Sequence, residues 1–135
     1  MAIIGTGVDL IEVERIERAL TRPATGNRFR RRVFTEVEIA YCESRGRPRY
    51  QSYAARFAAK EAVMKALGTG WNRHVGWNEI EVVRQRGHAP TIVLHGKAAQ
   101  FARRRDVSRF HLSISHTETL AIAYVTAEKL GSVPI

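Results

Sequence analysis

Asp9 and Glu61 are the residues with the strongest claim to chemistry. Glu61 lies in RFAAKEAVMKALGTG, residues 56–70, a good helix sequence that stops at glycine. At 100° per residue, with Phe57 at zero, Tyr53 and Met64 fall within about 40° on one side. Tyr50 and Glu61 fall within about 40° on the other, and Lys65 at about 80°. Glu61 therefore borders an apolar stripe, where an unpaired carboxylate costs several kcal/mol. It must be paired, coordinated or solvated in a cleft. One reading is an i,i+4 pair with Lys65, contributing about 0.3–0.5 kcal/mol. The other brings in Asp9, which ends a strand of mostly apolar and glycine residues, GTGVDL. Asp9 could cap the helix that follows, or meet Glu61 in a cleft. Two carboxylates converging without a fixed positive partner favour a divalent cation. Magnesium takes one or two carboxylates and completes its shell with water and phosphate oxygens.

Other motifs carry less alone. Gly68-Thr69-Gly70 would admit a phosphate to backbone N–H groups, or simply stop the helix. It is no Walker motif, because Lys60 and Lys65 precede the glycines. His116 closes a strand in the parity of Leu112 and Ile114 and so emerges at the end of its buried side. Neighbouring Ser115 points the opposite way. The sequence holds no Ser-His-Asp arrangement and no zinc-ligand spacing.

The charge points to anionic partners. Lys plus Arg number 22 against 13 acids, a net charge of +9. Nucleic acid, a membrane surface, a phosphorylated small molecule or an acidic protein would all suit it; an arginine-biased composition alone would also produce it. Arg15, Arg18 and Arg22 share one side of a helix, opposite Val13, Ile16 and Leu20. Arg28, Arg30, Arg31 and Arg32 follow a short loop. The arginines make a solvated face or a ridge for an acidic partner or a nucleic-acid backbone. No apolar run approaches the roughly 20 residues that span a bilayer. The N-terminus lacks the pattern of a secretory signal, and Cys42, the single cysteine, has no internal disulfide partner. The expected setting is the cytoplasm.

These residues need elements to position them. The pattern predicts a strand over 2–9 and a helix over 11–21. TRPATGN (21–27) reads as a loop, followed by a short basic segment. A capping box at Thr35 starts a helix that ends near residues 45–48, and a longer helix covers 49–67. Strands are predicted over 77–84 and 91–95, then a short helix over KAAQFARRR. A hairpin of 110–116 with 120–127 follows, and 128–135 is a loose tail. Runs of helix and hairpin without βαβ alternation predict an α+β fold with an antiparallel sheet, one domain over 1–135.

Together, GVDLIEVERI, RFAAKEAVMKALGTG and LSISHT, in that order, resemble the holo-[acyl-carrier-protein] synthase family, the small bacterial type of phosphopantetheinyl transferase. FTEVE and Pro90 also fit, and the resemblance runs from Ile3 to about Glu128. It implies transfer of the phosphopantetheine arm of coenzyme A to a serine of apo acyl carrier protein, in support of fatty acid biosynthesis. The implied metal is magnesium, held by Asp9 and Glu61. Lys65 would face the diphosphate, with Glu61, Lys65 and His116 the catalytic set. The serine proton would pass to a water, to Glu61 through one, or to His116. The segments carrying Arg56, Lys60, Gly68, Thr69, Gly70, Pro90, His116 and Thr117 would line the coenzyme A site. Arg15, Ile16, Arg22, Arg28, Phe29 and Arg32 would dock the acidic carrier. The family fold is a small α+β module, three copies of which form a ring with sites between subunits. The resemblance leaves no role for nucleic acid or a membrane; the rival reading is a basic nucleic-acid-binding module. TRPATGN and WNRHV depart from the family pattern.

Overall fold

The computed structural model describes residues 2–69 and 75–131. Its order is β1 (Ala2–Glu12), α1 (Val13–Thr21), α2 (Gly26–Val33), α3 (Glu36–Ser44) and α4 (Arg49–Leu67). A 3₁₀ turn (Trp77–Glu79) leads into β2 (Ile80–Val83), then β3 (Thr91–Leu94), α5 (Gly96–Arg104), β4 (Arg109–His116) and β5 (Leu120–Lys129). The strands form an antiparallel sheet in the order β1-β5-β4 and a separate β2-β3 hairpin. The predicted α+β class with an antiparallel sheet holds.

Helix α4 is the axis of the molecule. From Tyr53 to Leu67 all but Glu61 and Lys65 are buried. Its alanines at 58, 59, 62 and 66 let the sheet come close. Gly5 and Gly7 complete that fit: a Cβ added at these positions would lie 2.1 Å from the Ala66 carbonyl oxygen and 1.9 Å from that of Ala62. The two glycines share a sheet face with Asp9, so the packing that seats β1 on α4 also turns Asp9 toward the helix. α4 ends in a Schellman motif. The N–H of Gly68, at φ 77°, bonds the Lys65 carbonyl, and the Thr69 N–H bonds that of Met64. Only glycine adopts that φ without strain.

Some expectations change. β1 continues to Glu12, so Asp9 lies inside a strand opposite Ala123 and caps no helix. The basic segment after the loop is helical from Gly26. Its run of arginines hides the apolar pattern of a helix that buries Val33 and half-buries Phe29. The strand predicted from 77 begins at Ile80, after the 3₁₀ turn. β5 runs to Lys129, two residues into the predicted tail; residues 132–135 of that tail lie outside the described residues.

The sheet face away from α4 remains apolar and open. Val8, Leu10, Leu120, Ile122 and Tyr124 are all at least 39% exposed there, and cross-strand pairing places Val8 opposite Tyr124 and Leu10 opposite Ile122.

Candidate active site

Asp9 and Glu61 converge. Both line a cleft of about 300 Å³, with Leu10 and Ile11 of β1, Arg15 of α1, Phe29 of α2, Phe57 of α4 and Trp77. Lys65 reaches across from α4, and its Nζ donates to the Val8 carbonyl at 2.8 Å and to Asp9 Oδ1 at 3.2 Å. Glu61 Oε1 accepts from the Trp77 indole N–H at 3.0 Å. The i,i+4 reading of Glu61 and Lys65 therefore gives way: the lysine pairs with the carboxylate of the neighbouring strand. Phe57, one turn before Glu61, stacks on Trp77 with centroids 6.2 Å apart, and Phe29 lies 6.4 Å from Phe57. These three rings line one side of the cleft.

A second cleft of about 530 Å³ lies on the opposite flank of α4. It is lined by Arg56, Pro90 and His116, with Tyr41 of α3, Arg45 just after that helix, Arg84 after β2, and Leu112–Ser115 of β4. Arg56 is 6% exposed, stacks on the Tyr41 ring at 4.2 Å, and leaves its Nε without a partner. A largely buried guanidinium that lines a cleft beside two further arginines suits an anion. Arg45 and Arg84 add charge that the sequence did not flag. Arg45 had looked like part of a helix stop and Arg84 like a strand end, and only the fold brings them to Arg56. Among the described residues the two clefts share none, and the α4 side chains lining them point to opposite sides of the helix.

Two sequence expectations are corrected here. Lys60 is 0% exposed. Its ammonium donates to Glu38 Oε1 at 2.7 Å, to the Trp77 carbonyl at 3.0 Å and to the Ile80 carbonyl, leaving no donor for a ligand. Burial lowers its pKa, opposed by Glu38. Ile16 is 2% exposed and belongs to the core, so its side chain offers nothing to a partner. Arg15, Arg22, Arg28 and Arg32 are exposed and Phe29 is half-buried. Thr117 Oγ1 accepts from the Thr119 and Leu120 N–H groups and holds the β4–β5 turn. Gly68 and Thr69 sit beside Lys65 at the end of α4; Gly70 lies outside the described residues.

Glu38 extends the buried network, taking the Val82 and Thr35 N–H groups. The Thr35 hydroxyl donates to Glu81, which also pairs with His95. Burial alone would raise the Glu81 carboxyl, but the Thr35 hydroxyl and His95 outweigh it and hold it below the usual carboxylate range. Burial pushes the Cys42 thiol up to about 12, so it is neutral and inert at neutral pH.

Among the described residues no group of three or more His, Cys, Asp or Glu side chains is placed to hold a metal ion. The pair Asp9 and Glu61 suits only a cation that takes its remaining ligands from water and substrate. Magnesium is such a cation.

Known proteins resemble this chain in sequence and fold. The model of the 4′-phosphopantetheinyl transferase superfamily matches residues 5–125. A holo-[acyl-carrier-protein] synthase from Koribacter versatilis is 50% identical over 126 residues, 93% of this chain and 98% of that protein. Among solved structures, the Neisseria meningitidis holo-[acyl-carrier-protein] synthase superposes with a TM-score of 0.85 at 32% identity, covering 95% of this chain and 100% of the other. The Bacillus anthracis synthase in complex with CoA (3′,5′-ADP) gives 0.77 at 34%, covering 95% and 98%.

Proposed function

This chain belongs to the 4′-phosphopantetheinyl transferase superfamily, among its holo-[acyl-carrier-protein] synthases, and from that premise we propose how its own residues divide the work. The enzyme transfers the phosphopantetheine arm of coenzyme A to a serine of apo acyl carrier protein. The serine oxygen forms a new P–O bond to the pantetheine-bearing phosphorus. The diphosphate bond breaks, and adenosine bisphosphate leaves. The alternative of a nucleic-acid-binding module finds no support in these likenesses.

The observation that carries the residue assignment is the convergence of Asp9 and Glu61 on one cleft whose wall includes Arg15 and Phe29. Asp9 and Glu61 would hold magnesium, which when bound supplies Lewis-acid neutralisation of the diphosphate. Lys65, already on Asp9, adds fixed positive charge where the leaving bisphosphate develops its own. Glu61, through one water, takes the serine proton. The exposed Arg15, Arg22, Arg28 and Arg32, with the half-buried Phe29, present the acidic carrier with a basic surface beside this cleft, so the serine arrives next to Glu61.

The second cleft takes the nucleotide phosphates. Arg56, together with Arg45, Arg84, Pro90 and His116, is the anion-binding half. Gly68 and Thr69 border Lys65 at the diphosphate. Because the two halves lie on opposite flanks of α4, one copy cannot close a site with both. This supports a ring of three copies, each lending its Arg56 cleft to a neighbour's Asp9–Glu61 cleft. His116 then reaches the nucleotide of the adjoining site. The open apolar face of β1 and β5 supports association as well, since exposed apolar patches of this kind mark interfaces. Among the described residues no helix is long and apolar enough to cross a membrane, and Cys42 is a buried free thiol; both accord with a cytoplasmic setting.

Intact-mass measurement of apo carrier protein after incubation with this enzyme, coenzyme A and magnesium tests the reading. The carrier gains the mass of one phosphopantetheine, and chelation of the divalent ion abolishes the gain. A full gain in the presence of chelator contradicts the metal assignment.

A further inference from the structure

Trp77 is held by three residues of α4 spaced within one turn and a half. Its ring stacks on Phe57 at 6.2 Å, with planes 29° apart. Its carbonyl accepts from the buried Lys60 ammonium at 3.0 Å. Its indole N–H donates to Glu61 Oε1 at 3.0 Å. Lys60 is in turn locked by Glu38 of α3. The indole is thus fixed at its backbone and its ring face, and its one polar atom is aimed at the carboxylate.

We propose that Trp77 is the positioning residue for Glu61, orienting its carboxylate for the divalent cation; the inference rests on the reading of Glu61 as a metal ligand. An indole N–H suits this task. It donates only, so it cannot replace Glu61 on the metal, and it cannot lose its proton at any working pH. A hydrogen bond to one oxygen sets the plane of the carboxylate. Otherwise that side chain would explore several rotamers at the edge of the cleft. Groups that orient metal ligands in this way typically change affinity by about 10–100-fold when removed. The Phe57 stack contributes rigidity, and the Lys60 contact ties the 3₁₀ turn to the helix that carries Glu61.

The variant that isolates the N–H is Trp77→Phe, which keeps an aromatic ring on Phe57. Manganese binding, followed by electron paramagnetic resonance with coenzyme A present, weakens by roughly tenfold or more. The KM for apo carrier protein stays within about twofold of wild type, because the docking arginines are untouched. Unchanged manganese affinity in a folded Trp77→Phe protein overturns the proposal. Should that variant fold poorly, the wild-type protein provides the test. A Trp71→Phe substitution assigns its two indole N–H resonances, and magnesium shifts the Trp77 resonance as Glu61 takes up the metal. An indole that ignores magnesium under saturating conditions contradicts the proposal. A wild-type protein that binds no manganese even with coenzyme A refutes the ligand reading of Glu61 itself. Manganese bound equally by wild type and Trp77→Phe refutes only the positioning role.

Discussion

Asp9→Asn lowers kcat for carrier modification by about 10²–10³-fold at saturating coenzyme A and magnesium, the scale seen when one preorganised electrostatic group is removed from an active site. Asparagine has nearly the same shape, so β1 keeps its seat on α4. The loss is one negative charge in the cleft shared with Glu61. Lys65 retains its hydrogen bond to the Val8 carbonyl, so its ammonium stays near the site. Folding stability therefore changes little, and activity changes greatly. Steady-state kinetics alongside thermal unfolding separate the two. A folded Asp9→Asn enzyme within a few-fold of wild-type kcat would show that Asp9 is merely the lysine's surface partner.

Lys60→Met produces the largest expected loss of stability. The methionine fills the lysine's volume, but Glu38 is left in the core without its cation, and the Trp77 and Ile80 carbonyls lose their donor. Breaking a buried pair from one side costs about 3–5 kcal/mol, which for a domain of this size lowers Tm by on the order of 10 °C. Adding Glu38→Gln removes the stranded charge. The double variant is then less unstable than the sum of the single losses, by the coupling that a double-mutant cycle measures. Strict additivity in denaturant unfolding would mean that the two side chains do not act as a pair. The same substitution loosens the turn that carries Trp77, so residual activity falls with it.

Much of the molecule was legible in its amino-acid order. α4 begins and ends where the sequence placed it, because Pro48 and Gly68 bracket a long run of helix formers with a continuous apolar stripe. The Thr35 capping box is present in full. Asp9 and Glu61 were recognisable as costly carboxylates, but their meeting depends on β1 crossing α4 at Gly5 and Gly7, which no local spacing encodes. Lys60 was misplaced because a lysine in a helix ordinarily faces water; its burial requires Glu38, 22 residues earlier, and two carbonyls later in the chain. Ile16 faces the core with Val13 and Leu20, as the helical spacing placed it; only the resemblance had assigned it to docking. α2 was hidden by its arginines. Trp77 looked like the start of a strand, and its role emerges only when the 3₁₀ turn sets its indole against Glu61. Arg45 lies between α3 and α4 and Arg84 after β2, so their union with Arg56 is a property of the tertiary fold.

The central claim is that each site joins the Asp9–Glu61 cleft of one copy to the Arg56 cleft of another. Co-refolding Asp9→Asn with Arg56→Gln, each inactive as a pure assembly, tests it most directly. Random mixing in a closed ring leaves about one site in four with both halves intact, so the mixture recovers about a quarter of wild-type transfer, read as mass gained by the carrier. A mixture of demonstrably mixed assemblies that stays as inactive as its components would contradict the account.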